Sequence, residues 1–228
     1  MVKIKVLVNG AKGKMGSETV KAVLKEGDLE LVGQSDLGDD LGKMIRETKA
    51  NVVVDFTQPA AALKNARTIM DNKAHAVIGT TGLTADNLAE LKKLCAKNKV
   101  NCIVAPNFAI GAVLMMKFSR EAAHYMPQVE IIEFHHDKKL DAPSGTAKKT
   151  AEMIKNERGG IKGKEIPIHS VRLQGLVAHQ AVIFGGLGQT LTIRHDSINR
   201  ESFMPGVIMA IRKVKEVKGL VDGLENLL

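Results

Sequence analysis

The amino-acid sequence predicts an α/β fold: a parallel sheet with crossover helices, followed by an α+β region with a mixed sheet. Three observations carry this. Apolar, strand-like runs alternate with helical stretches through the first half of the chain. A glycine-rich turn, GAKGKMG, sits at the first strand–helix junction. After Asn107 the alternation gives way to a long helix and then several consecutive strands.

In chain order, residues 3–9 form a β-branched apolar run that ends on Gly10. A helix is expected over 19–25 and a strand over 30–34. NVVVDF, at 51–56, is another strand. A helix over 60–72, a strand over 74–78, a helix over 85–97 and a strand over 100–105 continue the pattern. Such alternation argues a parallel sheet with crossover helices. The strands read as unbroken apolar runs, as expected when both sheet faces are covered. Further on, 110–124 reads as one long helix, 129–134 as a strand and 147–156 as a helix. Strands are expected at 169–171, 180–184 and 190–194, with glycines between the last two. The last 25 or so residues read as helical and able to pack back on the first domain. The expected domains are therefore 1–106 with 201–228, and 107–200.

A chain of 228 residues can bury a sizeable core without staples. Aromatics are 3% with no Trp, so Val, Ile, Leu, Ala and Met must build that core. Cys95 and Cys102 make no disulfide framework and read as buried thiols. No CxxC pair suggests a metal, and no metal site is expected. The net charge of +8 comes from dispersed lysines; without base-stacking aromatics or a recognition motif, it argues against nucleic acid. No run approaches the ~20 apolar residues that span a membrane. The start, MVKIKVLVNG, is too short in apolar residues for a signal peptide, so a cytoplasmic protein is expected.

The glycine turn points to a ligand. Gly10, Gly13 and Gly16 lie between a strand and a helix. Glycine lets the backbone turn sharply and approach a pyrophosphate, and the helix start offers N–H groups to phosphates. A Rossmann-type dinucleotide fold also expects an acid about 20 residues on, at the end of the second strand. Asp36 closes LVGQSD at about that place, with Asp39 and Asp40 as competitors. Lys12 and Lys14 could meet the 2′-phosphate of NADP, so NADH and NADPH both remain open. VVVDFTQP and VIGTTGLT end two further strands in the crevice where such folds bind ligands.

The chemistry concentrates in VEIIEFHHDKKLDAPSGTAKKTAEMI. His135 and His136 follow a strand; Lys139 and Asp141 come next; Gly145 and Thr146 open a helix. Histidine can give a proton near neutral pH. Lysine can supply charge where negative charge develops. A helix start suits a carboxylate.

The glycine loop, DFTQP, GTTG, APNF, EFHHDKKLDAPSGTA, VRLQG and GQTLTIRH stand in the order and spacing of the dihydrodipicolinate reductase family, which the chain resembles over essentially its whole length. It departs from the family pattern at Lys14, Asp137, Ala178 and Gln189, and over SINRESFMPG. The resemblance implies NAD(P)H-dependent reduction of 4-hydroxy-tetrahydrodipicolinate to tetrahydrodipicolinate with loss of water, in lysine biosynthesis. It implies that Gly10, Ala11, Lys12, Gly13, Lys14 and Met15 hold the pyrophosphate and Asp36 the adenosine ribose. Gly79, Thr80, Thr81, Ala105, Pro106, Asn107 and Phe108 would line the nicotinamide half. His135 would donate the proton with Lys139 as catalytic partner, while His136, Gly145 and Thr146 bind the dicarboxylate substrate. It further implies a homotetramer with a substrate and tetramerisation domain. The alternative is another NAD(P)-dependent reductase or dehydrogenase of the same architecture.

Overall fold

The computed structural model describes residues 2–157 and 165–228. The chain falls into two compact units, Met1–Phe108 with Phe203–Leu228, and Ala109–Ser202.

Unit 1 is the alternating half. Strands β1 (Ile4–Asn9), β2 (Leu29–Ser35), β3 (Val52–Asp55), β4 (His75–Ile78) and β5 (Cys102–Val104) alternate with helices α1 (Lys14–Lys25), α2 (Leu41–Thr48), α3 (Pro59–Asp71) and α4 (Ala85–Asn98). All strand pairs are parallel. Val6, Val8, Val52, Val54 and Val77 are fully buried, as a sheet covered on both faces requires. Local signals set the helix starts. Pro59 occupies the first turn of α3, and Thr84 caps α4 in a reciprocal pair with Asn87. Two features were not legible in the periodicity. α1 begins at Lys14, directly off the glycine turn, where glycine and lysine mask the apolar pattern. α2 is so short that its apolar face is little more than Leu41 and Ile45, one turn apart.

The C-terminal stretch corrects the expectation of continuous helix. A helix Met204–Lys213 packs against α1, and the chain then breaks at Gly219, whose φ is +74°. Leu220–Asp222 forms a short strand parallel to β5, giving the six-stranded order in which it lies beside β5, then β4, β3, β1 and β2. Three residues are too few for any periodicity to announce a strand. Because β1 has β2 on one side and β3 on the other, the winding direction reverses there. That is where an open α/β sheet forms a ligand crevice.

Unit 2 holds α5 (Ile110–Ala122), β6 (Gln128–His135), α6 (Gly145–Glu157), β7 (Ile168–Arg172), β8 (Ala178–Gly186) and β9 (Gln189–Ser197). The sheet order is β7-β6-β8-β9. β6 and β7 run parallel while β6–β8 and β8–β9 are antiparallel, so the sheet is mixed. α5 and α6 pack on one sheet face, burying Val129, Ile131, Val182 and Phe184. Among the described residues no helix is long and apolar enough to cross a membrane.

Candidate active site

In unit 1 the carboxyl ends of β1 to β4 surround an open cleft of about 690 Å³. Gly10, Gly13, Lys14, Met15, Asp36, Gly79, Thr80 and Thr81 all line it. Gly10 has φ +80°, a conformation that side chains disfavour, and its face lies against the Phe56 carbonyl. Gly16 packs onto the Gly10 carbonyl so closely that a Cβ would clash with main chain. The turn's N–H groups are largely spent internally. Gly10 and Ala11 donate to the Ser35 carbonyl at 2.8 and 3.1 Å, and Gly13 donates to the Gly10 carbonyl at 3.0 Å. Lys12 N–H donates to Asp36 Oδ2 at 2.8 Å. The start of α1, at Lys14 and Met15, lines the cleft beside this turn. N–H groups of Leu37 and Lys12 hold the Asp36 carboxyl below its ordinary value, as a fixed anion at the end of β2.

A buried carboxylate shapes this cleft. Asp55 is fully buried and accepts from Asn9 Nδ2 (2.7 Å), Asn65 Nδ2 (2.9 Å), Thr57 Oγ1 (2.9 Å) and Thr80 Oγ1. Ser35 Oγ in turn donates to Asn9 Oδ1 at 2.7 Å. One carboxylate thereby ties together the ends of β1, β2, β3 and β4. Ala105, Pro106, Asn107 and Phe108 do not line this cleft. Phe108 is buried and meets the Phe56 ring edge-on at 5.7 Å.

In unit 2, β6 ends at His135, and His136 begins the loop beyond it. Glu133 and His135 lie two residues apart on a strand and so share a face. That face is the one covered by helices. Glu133 is fully buried, and its Oε2 lies 2.5 Å from His135 Nδ1 and accepts from Arg172 Nη1 at 2.8 Å. Its Oε1 accepts from Ser170 Oγ (2.6 Å), Arg172 Nη2 (2.7 Å) and the Ser144 N–H (3.1 Å). Burial alone would push the Glu133 carboxyl up. The hydrogen bonds from Arg172, Ser170 and His135 outweigh it and hold the group at about 2. Burial pushes His135 below its ordinary value; the Glu133 carboxylate opposes this, and Lys139 and Arg172 add to it.

Lys139 donates to Asp141 Oδ1 at 2.7 Å and is largely shielded from solvent. Ser144 Oγ accepts from the Ala147 N–H at 3.2 Å and so caps α6, which opens at Gly145 and Thr146. Around Gly145 a Cβ would meet nothing within 4 Å, so the helix start is open. His135, Lys139 and this helix start are therefore held in one unit, and the Glu133–Ser144 bond links the histidine's partner to the helix start. Among the described residues no group of three or more His, Cys, Asp or Glu side chains is arranged to hold a metal ion.

Sequence reasoning missed Glu133, Ser170 and Arg172, and did not single out Asn9, Ser35 or Asn65. Strand alternation does turn Glu133 inward with Ile131, and a buried glutamate demands a partner. That was the available signal.

Residues 4–108 match the family model described as dihydrodipicolinate reductase, N-terminus, and residues 111–228 that described as dihydrodipicolinate reductase, C-terminus. A 4-hydroxy-tetrahydrodipicolinate reductase of Coxiella burnetii is 54% identical over 99% of both chains. One of Desulfitobacterium hafniense is 48% identical over the full length of both. The solved structure of a dipicolinate-bound dihydrodipicolinate reductase from Paenisporosarcina sp. TG-14 is 45% identical, covers both chains entirely and superposes with a TM-score of 0.88.

Proposed function

The chain belongs to the dihydrodipicolinate reductase family, and from that premise we propose how its residues divide the work of an NAD(P)H-dependent reductase. The reaction is reduction of 4-hydroxy-tetrahydrodipicolinate to tetrahydrodipicolinate with loss of water, in the diaminopimelate route to lysine.

Unit 1 is the dinucleotide-binding domain. The turn from Gly10 to Met15 and the start of α1 hold the pyrophosphate, Asp36 the adenosine ribose, and Gly79, Thr80 and Thr81 the nicotinamide half, with Ala105, Pro106, Asn107 and Phe108 behind it. The crevice fits such a group: its wall is bare main chain at Gly10, and its acid is already ionised and oriented. When bound, the reduced cofactor supplies hydride. The protein's own residues bind, orient and protonate.

Unit 2 is the substrate and tetramerisation domain. Gly145 and Thr146 clamp a substrate carboxylate with the helix terminus, and His136 binds beside them. His135 gives its proton to the ring carbon next to the one that receives hydride, and Lys139 offsets the negative charge on the ring. The observation that carries this reading is the joining of His135, through Glu133, to the open start of α6. The active form is a homotetramer. In its support, α5 and α6 pack on one sheet face, while Ile132, Phe134 and Ile183 lie half-buried on the other. Two buried free thiols suit a cytoplasmic setting.

The test is oxidation of NADH and of NADPH with the condensation product of pyruvate and aspartate semialdehyde. Turnover is expected only with that product present. His135→Gln should lower kcat by about 10²- to 10⁴-fold with cofactor affinity near wild type. Turnover within a few-fold of wild type would remove His135 from the role of proton donor.

A further inference from the structure

Glu133 has neither a catalytic nor a binding role in the division of work above, yet it joins His135 to the start of α6. It is 0% exposed, and its two oxygens accept from β6, β7 and the loop before α6 together. An ionised carboxylate cannot face an imidazole lone pair at 2.5 Å without strong repulsion. The hydrogen must lie on His135 Nδ1. Nε2 is then the nitrogen left to take and give the proton. Arg172 keeps Glu133 from becoming the proton's destination, because its guanidinium grips both oxygens and fixes the carboxylate as an anion. The same carboxylate holds the Ser144 N–H, one residue before Gly145. It therefore sets the spacing between the histidine and the anion-binding helix start.

We infer that Glu133 is the positioning residue of this site. It selects the Nδ1–H tautomer of His135, supports the imidazolium that must form before each proton transfer, and registers the start of α6 against it. Arg172 and Ser170 hold Glu133 in place. The arrangement follows the logic of a buried acid orienting a catalytic histidine, with an arginine added to pin the acid. This rests on the reading of His135 as proton donor, and the experiment separates the two.

The charged groups facing His135 are Glu133 on β6, Arg172 on β7, and Lys139 and Asp141 on the loop. Of these, Glu133 and Asp141 favour the imidazolium. Turnover requires that imidazolium, so kcat falls as pH rises through the His135 pKa. In Glu133→Gln the descending limb should move to lower pH by about 1–3 units, because the nearest opposing charge is gone. At pH 7 kcat should drop by about tenfold or more, with KM within about threefold. A purely structural glutamate would lower kcat by one factor at every pH and leave the limb in place, and that result overturns the proposal. A second measurement does not depend on the variant folding. Isotope-labelled histidine NMR of the wild type, with His135 assigned through His135→Gln, should show the Nδ1–H tautomer and a far-downfield Nδ1 proton. An Nε2–H tautomer overturns the proposal. Turnover that survives His135→Gln would instead overturn the proton-donor role and leave the tautomer result standing.

Discussion

Removing Arg172 should convert a quiet buried ion pair into a pH-dependent weakness. Glu133 is fully buried, and Arg172 donates to both its oxygens at 2.7 and 2.8 Å. Arg172→Met keeps much of the aliphatic stem but leaves the carboxylate without its fixed cation. Breaking a buried pair from one side costs about 3–5 kcal/mol. Ser170, Ser144 and His135 still donate to Glu133, so the lower end, about 3 kcal/mol, is expected at pH 8. At lower pH His135 can take up the charge. In the wild type, burial and the nearby cations depress its pKa, so its contribution is complete above the ordinary histidine value of about 6.5 and is lost as pH falls below it. In the variant the repulsion from Arg172 is gone while the Glu133 carboxylate still attracts the imidazolium, so the His135 pKa rises from its depressed value. The stability that the wild type loses as pH falls below about 6.5 is therefore lost to a smaller extent in the variant. The deficit relative to wild type should therefore be smaller at pH 6 than at pH 8. Urea unfolding followed by far-ultraviolet circular dichroism at both pH values measures this. A loss under about 1 kcal/mol at pH 8, or one equal at both, would refute the view of Glu133 as an anion whose charge the site must balance.

In Gly16→Ala the new Cβ meets the main chain of Gly10 and Ala11, which cannot move without reshaping the turn. The strain of about 1–3 kcal/mol should weaken NADH binding by about tenfold or more in a fluorescence titration, whereas Gly27→Ala, with open space around it, should change nothing. Burial pushes the Cys95 thiol up to about 11 and the Cys102 thiol well above its ordinary value. Both should resist iodoacetamide at pH 7.5 in the folded protein and react once urea exposes them; labelling of the folded chain by mass spectrometry would contradict their burial.

The residues of this chain determine the parallel sheet of unit 1 and the sites where chemistry gathers. Apolar runs at regular intervals leave few other ways to cover both sheet faces. Local signals travel with them: glycines where main chain must approach main chain, an acid at the close of β2, and Ser144 capping the helix that opens at Gly145. His135, His136, Lys139, Gly145 and Thr146 lie within a dozen residues of one another, so their grouping needed no fold to reveal it. What only the tertiary structure decided is which distant side chains answer the buried acids. Parallel pairing of β6 with β7 sets Glu133 opposite Ser170 and His135 opposite Arg172. Those donors come from 37 and 39 residues further along. Asp55 likewise takes its donors from Asn9, 46 residues before it, and from Thr80, 25 residues after it. Alternation along a strand tells which residues point inward. It does not tell which strand lies alongside or in what register, because pairing is chosen by the packing of whole sheets and helices rather than by any local run of residues.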